Sequence, residues 1–210
     1  MCRILLVRSQ EEFSPEIYLS QFALICRNSK EYQGHGWGCS ALAGNEWKHY
    51  RNILPVWQDD LGEFPKTKLL VAHARSAFRD EGIEVENNMP FNDERFTFVF
   101  NGELRGVRIN AEGRIGAEKI FNYVKRFYKG DMKEAIGKAV DVIRKRTKYI
   151  RAMNFIIADA GKAYVYTLFN EDENYFTLTY TAEQDLIICS EKIPSQLNPL
   201  AIPNNTLMTF

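Results

Sequence analysis

The sequence contains no long apolar run. Its longest stretches, such as Leu69–Ala72, are strand-sized and far short of the ~18 residues a membrane span needs. It carries no charge excess either. Lys and Arg (27) balance Asp and Glu (27), so no global field draws the chain to nucleic acid or to an anionic membrane. Cysteine is sparse: Cys2, Cys26, Cys39 and Cys189 form no C-x-x-C pair, and the three histidines (His35, His49, His73) add no paired ligand spacing. A structural zinc site is therefore not expected. His35 and Cys39 could share a metal, although the glycine-rich stretch between them reads better as bent backbone. There is no low-complexity tract, no internal repeat and no Pro/Gly/Ser linker. The opening R-I-L-L-V-R is too short and interrupted for a signal peptide. These absences lead us to expect one cytoplasmic domain over residues 1–210.

What is present suits a chain that builds one sizeable core: 45% apolar, 26% charged and 13% aromatic residues. Residues 3–8 read as a strand. Ser14-Pro15-Glu16 reads as a helix start, with a capping hydroxyl and proline at the first helical position, and Tyr18, Phe22 and Ile25 carry the helix to Asn28. Residues 69–75 form a near-continuous apolar run, as in a strand covered on both faces, and F-T-F-V-F at 96–100 alternates at strand period. Two helices follow. Ile120, Phe121, Val124, Phe127 and Tyr128 make one apolar stripe, stopped by Gly130, while Met132, Ala135, Ile136, Ala139, Val140 and Ile143 make a second. The basic cluster that begins at Arg144 is a solvated helix end complementing the macrodipole, in preference to a nucleic-acid patch. From Met153 the chain reads as strands, including Y-F-T-L-T-Y-T at 175–181. Strands, then paired helices, then strands favour stacked sheets with helical layers.

Cys26 and Cys189 sit in apolar segments and read as small buried hydrophobes. Cys2 differs because it follows Met1 directly. Removal of Met1, expected when the next side chain is small, would leave Cys2 with a free α-amino group. That amine has an ordinary pKa of ~7.7–8.0, so nucleophile and general base would share one residue. Asn101-Gly102 after F-T-F-V-F carries the signature of a hairpin turn. Arg75 alone reads as a surface arginine at a strand end.

Taken in order, M-C-R, G-H-G-W-G-C at 34–39, V-A-H-A-R-S at 71–76, N-N-M-P-F with F-V-F-N-G-E-L at 87–104, G-A-E-K-I-F at 116–121 and M-N-F-I-I-A-D-A-G at 153–161 resemble a class II glutamine amidotransferase domain. The likeness is to the stand-alone, single-domain branch and covers nearly the whole chain. It implies an α+β fold, a four-layer α/β/β/α sandwich of two mainly antiparallel sheets, the N-terminal-nucleophile hydrolase type. It further implies Cys2 as nucleophile through a thioester, Asn101 and Gly102 as the oxyanion hole, and Arg75 as a clamp on the substrate carboxylate. Trp37 and Gly38 would supply backbone beside the nucleophile.

The implied substrate is a small-molecule amide such as glutamine or a γ-glutamyl compound. No metal or organic cofactor is needed, since thiol, amine and oxyanion hole cover the chemistry. Ammonia transfer would need a separate synthase subunit; self-association stays open. Three positions depart from the family pattern: Met89 and Phe100 stand where histidines are usual, and Gly116 stands where the family's Asp binds the substrate ammonium. Two further readings follow from these departures: a non-glutamine amide as substrate, or a degenerate binding module.

Overall fold

The computed structural model describes residues 1–210, the Asp80 side chain apart. In chain order the elements are β1 (Arg3–Phe13), α1 (Pro15–Arg27), β2 (Trp37–Ala43), β3 (Glu46–Asn52), β4 (Thr67–Ala74), β5 (Phe91–Asn92), β6 (Thr97–Arg105), α2 (Gly116–Lys125) and α3 (Met132–Lys145). There follow β7 (Tyr149–Ala158), β8 (Ala163–Thr167), α4 (Glu173–Phe176), β9 (Thr179–Thr181), β10 (Leu186–Cys189), β11 (Leu200–Ala201) and β12 (Thr206–Thr209). One sheet has the order β11-β9-β10-β1-β4-β2-β3, the other β12-β8-β7-β6-β5, and the pairings within both are antiparallel.

Alternation along the strands builds the layers. On β1, Leu5 and Val7 join Tyr18, Leu19 and Phe22 of α1, whereas Ile4 and Leu6 join residues of the second sheet. On β4, Leu70, Ala72 and Ala74 likewise turn to α1, and Leu69 and Val71 to the second sheet. Thr97 on β6 donates to Ser40 Oγ on β2 at 3.1 Å, a hydrogen bond from sheet to sheet. Phe98, one residue on, stacks against Phe121 of α2 at 5.0 Å. Thus α1 covers the larger sheet, α2 and α3 cover the smaller, and the order is α/β/β/α, as the resemblance implies. Among the described residues, no helix is long and apolar enough to cross a membrane.

Of the two central helices, α3 buries its whole apolar stripe and α2 its stripe as far as Val124. Asp131 accepts from the Glu134 N–H as cap of α3, and Arg144 and Lys145 occupy its last turn. Cys26 and Cys189 are buried, 1% and 0% exposed. Four local expectations fail. Ser14 precedes α1 but its hydroxyl makes no capping bond; the Ile17 N–H bonds the Ser14 carbonyl instead. Phe127 and Tyr128 lie past the end of α2, in turns closed on Val124 and Lys125. Residues 173–176 form a helix rather than the start of a strand, because Tyr175 and Phe176 both bury against Ala152 and Phe169, a clustering that strand alternation would prevent. Asn101-Gly102 is not a turn: both residues lie inside β6, opposite Asn154 and Met153 of β7.

Candidate functional site

The strand register brings three segments to one end of the larger sheet. Trp37, Ala74 and Arg3 lie across from one another on β2, β4 and β1. The next row therefore holds Gly36, Arg75 and Cys2. Backbone bonds fix it: the Arg75 N–H donates to the Gly36 carbonyl at 2.9 Å, and the His35 N–H donates to the Arg75 carbonyl at 3.1 Å. His35 Nδ1 then accepts from the Ala77 N–H at 2.8 Å. Gly36 has φ +101°, and a Cβ there would sit 2.0 Å from Asn88 Nδ2. The G-H-G segment is therefore a clasp on the arginine strand end that needs glycine at its second glycine position.

Cys2 shares the inter-sheet face with Ile4 by alternation and is 8% exposed. Its thiol lies 3.8 Å from the Ser76 carbonyl. Burial raises the thiol above its ordinary pKa, while the adjacent terminal ammonium, the Ser76 contact and Arg75 pull it back. Arg75 is not a surface arginine: it is 6% exposed, burial lowers its pKa, and its Nη1 finds no hydrogen-bond partner among the described residues.

Asn101 approaches from the second sheet. With Thr97 and Val99 it looks into the inter-sheet layer; it is fully buried, and neither amide atom has a hydrogen-bond partner among the described residues. Two such orphaned atoms are costly unless something else is to use them. Gly102 lies on the outer face, where an added Cβ would stand 2.2 Å from the Ala152 carbonyl oxygen. His73, on β4 opposite Ile4 and Gly38, is fully buried within reach of the Phe100 backbone. Burial and Arg75 hold its pKa down at about 3, so it is neutral.

Trp37 and Gly38 part company. The indole of Trp37 turns to the α1 side, packs on Tyr50 and Phe64 and donates to Asp59 at 2.7 Å; it is a core residue on the face away from Cys2. Gly38 keeps the inter-sheet face, with Met89 and Tyr50 carbonyls so close that a Cβ would meet them at 2.7 and 2.6 Å. Met89, at a position of departure from the family, is buried in the apolar core.

Sequence reading missed the surroundings of Met1. Its ammonium pairs with Glu31. Its carbonyl accepts from Tyr175 Oη at 2.5 Å and Gln33 Nε2 at 2.6 Å, and its side chain packs on Ala152, Phe169, Tyr175 and Phe176. Ala152 is the residue whose carbonyl abuts Gly102, so the chain start and the Asn101-Gly102 strand share neighbours. The only sequence hint was a run of polar residues before the glycines. Among the described residues no group of three or more His, Cys, Asp or Glu could hold a metal.

No family model matches the chain, and no curated protein matches it. Solved structures do. A glutamine phosphoribosylpyrophosphate amidotransferase from B. subtilis superposes with TM-score 0.63 at 16% identity, over 90% of this chain and 42% of that one. A glutamine aminotransferase class-II domain protein from Silicibacter pomeroyi gives 0.66 at 14% identity, over 99% and 94%. A protein from Pseudomonas aeruginosa described as a predicted glutamine amidotransferase gives 0.61 at 16% identity, over 100% and 97%. The fold is thus that of class II glutamine amidotransferase domains, as the motifs led us to expect. This chain spans less than half of the first of these proteins and nearly all of the other two.

Proposed function

We propose that the chain is a thiol-dependent amidohydrolase that cleaves a side-chain carboxamide, glutamine or a γ-glutamyl compound, with Cys2 as its N-terminal nucleophile. The observation that carries this reading is the pairing of two residues across the sheets. Buried Arg75 stands in the Cys2 row, and Asn101 stands on the facing sheet; Arg75 Nη1 and both buried amide atoms of Asn101 have no hydrogen-bond partner among the described residues.

Once Met1 is removed, the α-amine of Cys2 takes the thiol proton as Sγ attacks the amide carbon. The tetrahedral oxyanion rests on the Asn101 side-chain amide and the Gly102 N–H, donors of a kind each worth ~3 kcal/mol at the transition state. The ammonium of Cys2 returns its proton to the departing nitrogen, which leaves as ammonia or an amine, and a thioester remains. Water, activated by the same amine, hydrolyses the thioester to the carboxylate and frees the thiol. Arg75 clamps the substrate carboxylate, a task suited to a buried, forked guanidinium. The test is Cys2→Ala: ammonia release from glutamine falls to background while the far-UV circular dichroism matches wild type. Full ammonia release by that variant would overturn the mechanism.

A further inference from the structure

The reading above leaves the substrate's own ammonium without a partner. At the start of α2, where the family pattern would place an acid, Gly116 has no side chain. The nearby Glu118 is committed to Arg114, with bonds of 2.7 Å to Nη2, 3.0 Å to Nε and 2.6 Å from the backbone N–H. The chain start shows a carboxylate that already binds an ammonium beside the thiol: Glu31, which pairs with the Met1 nitrogen. Building on the proposed function, we infer that Glu31 is the substrate-ammonium site of the processed enzyme, so the substrate class is an α-amino acid bearing a terminal carboxamide.

Three observations support this assignment. First, Glu31 does not depend on Met1 for its place. Its Oε1 is held by Arg151 Nη2 at 3.0 Å, and Arg151 is fixed by Asp172 at 2.6 Å and by Glu103 at 3.6 Å. Glu103 follows Gly102, so the network that positions the carboxylate is anchored on the oxyanion strand itself. Second, the reach is right. The Met1 nitrogen is one covalent bond further from Cys2 Sγ than the α-nitrogen of a γ-carboxamide amino acid is from the sulfur in its thioester. Removing Met1 therefore frees the carboxylate beside a nitrogen position whose chain length from the sulfur is within one bond of glutamine's. Third, Glu31 at the Met1 nitrogen and Arg75 in the Cys2 row give the site one anionic and one cationic partner for a zwitterion.

The experiment compares Met1-free wild type, Glu31→Gln, Glu31→Asp and Glu84→Gln, Glu84 being the carboxylate whose charge reaches Arg75, on glutamine and on glutaramate, which keeps the carboxylate and carboxamide but lacks the amine. The readout is the ratio of kcat/KM for the two substrates, with its pH profile. The expected result is a wild-type preference for glutamine that falls roughly 10- to 100-fold in Glu31→Gln, mostly through KM, and recovers partly in Glu31→Asp. Equal losses on both substrates in Glu31→Gln would overturn the assignment and make Glu31 a structural residue or an anchor for the Cys2 amine. A collapse of the ratio in Glu84→Gln instead would also overturn it. In either of those cases hydrolysis by the wild type would leave the amidohydrolase reading standing. A wild type inert on both substrates removes both.

Discussion

Gly102 offers a substitution whose cost can be worked from distances. An alanine Cβ at this position lies 2.2 Å from the Ala152 carbonyl oxygen, 2.7 Å from its carbon and 2.9 Å from the Phe100 ring. Non-bonded carbon contacts are comfortable from ~3.5 Å, so β6 and β7 must separate locally by about 1 Å. The atoms that must yield are main chain in the interior of a ladder, not the tip of a flexible side chain. Overpacking costs roughly 1–3 kcal/mol and sometimes more, and this backbone clash belongs at the upper end, about 3 kcal/mol. Gly137 on α3 is the control: a Cβ there meets nothing within 4 Å, so Gly137→Ala gains about 0.5–1 kcal/mol from helix propensity. Urea unfolding of the two variants beside wild type should move the midpoint in opposite directions. Gly102→Ala should also lose amidase activity, because the shifted strand carries the Gly102 N–H. A Gly102→Ala midpoint equal to wild type would refute the packing argument and, with it, the structural reason for glycine here.

The remaining predictions separate site from scaffold. Asn101→Ala removes two buried amide atoms that have no hydrogen-bond partner among the described residues, so its urea midpoint should match or exceed wild type while kcat for amide hydrolysis drops about 100- to 1000-fold; a large loss of stability with activity retained would contradict this. Trp37→Phe breaks the indole bond to Asp59 and should cost roughly 1.5–3 kcal/mol in denaturation without changing KM for substrate, since the indole faces α1; a KM effect would return Trp37 to the site. His73 has its folded pKa, about 3, below the ordinary 6.5. It therefore takes up a proton on unfolding in that window, and stability is present above pH 6.5 and lost as pH falls. The loss contributed by His73 is roughly 1 kcal/mol per pH unit between about pH 6 and 4. His73→Met should unfold with a shallower acid slope than wild type over that range, and identical slopes would refute the assignment.

Much of the layer order was legible because it is written in local periods. The α2 and α3 stripes, the doubly covered β4 and the β6 alternation each show which faces are buried. The failures are equally physical. Asn101-Gly102 carries the strongest short-range turn signature, yet Gly102 is there for the close approach of Ala152, a contact about 50 residues away in sequence that no local pattern encodes. Arg75 reads as surface until the G-H-G clasp, about 40 residues earlier, encloses it. Tyr175 and Phe176 carry β-propensity, but tertiary packing against Ala152 and Phe169 turns them into helix. Glu31, Gln33 and Tyr175 meet only because β1 starts among them, so their grouping about Met1 has no spacing to read.

The central claim is an activated thiol at the chain start that accepts a glutamine-shaped ligand. Its most direct test is intact mass with N-terminal peptide mapping after incubation with 6-diazo-5-oxonorleucine. The account predicts a chain lacking Met1 with the adduct on Cys2, and no adduct on Cys26, Cys39 or Cys189, which are 0–1% exposed against 8% for Cys2 and carry no α-amine of their own. A Met1-free chain with Cys2 unmodified would contradict it.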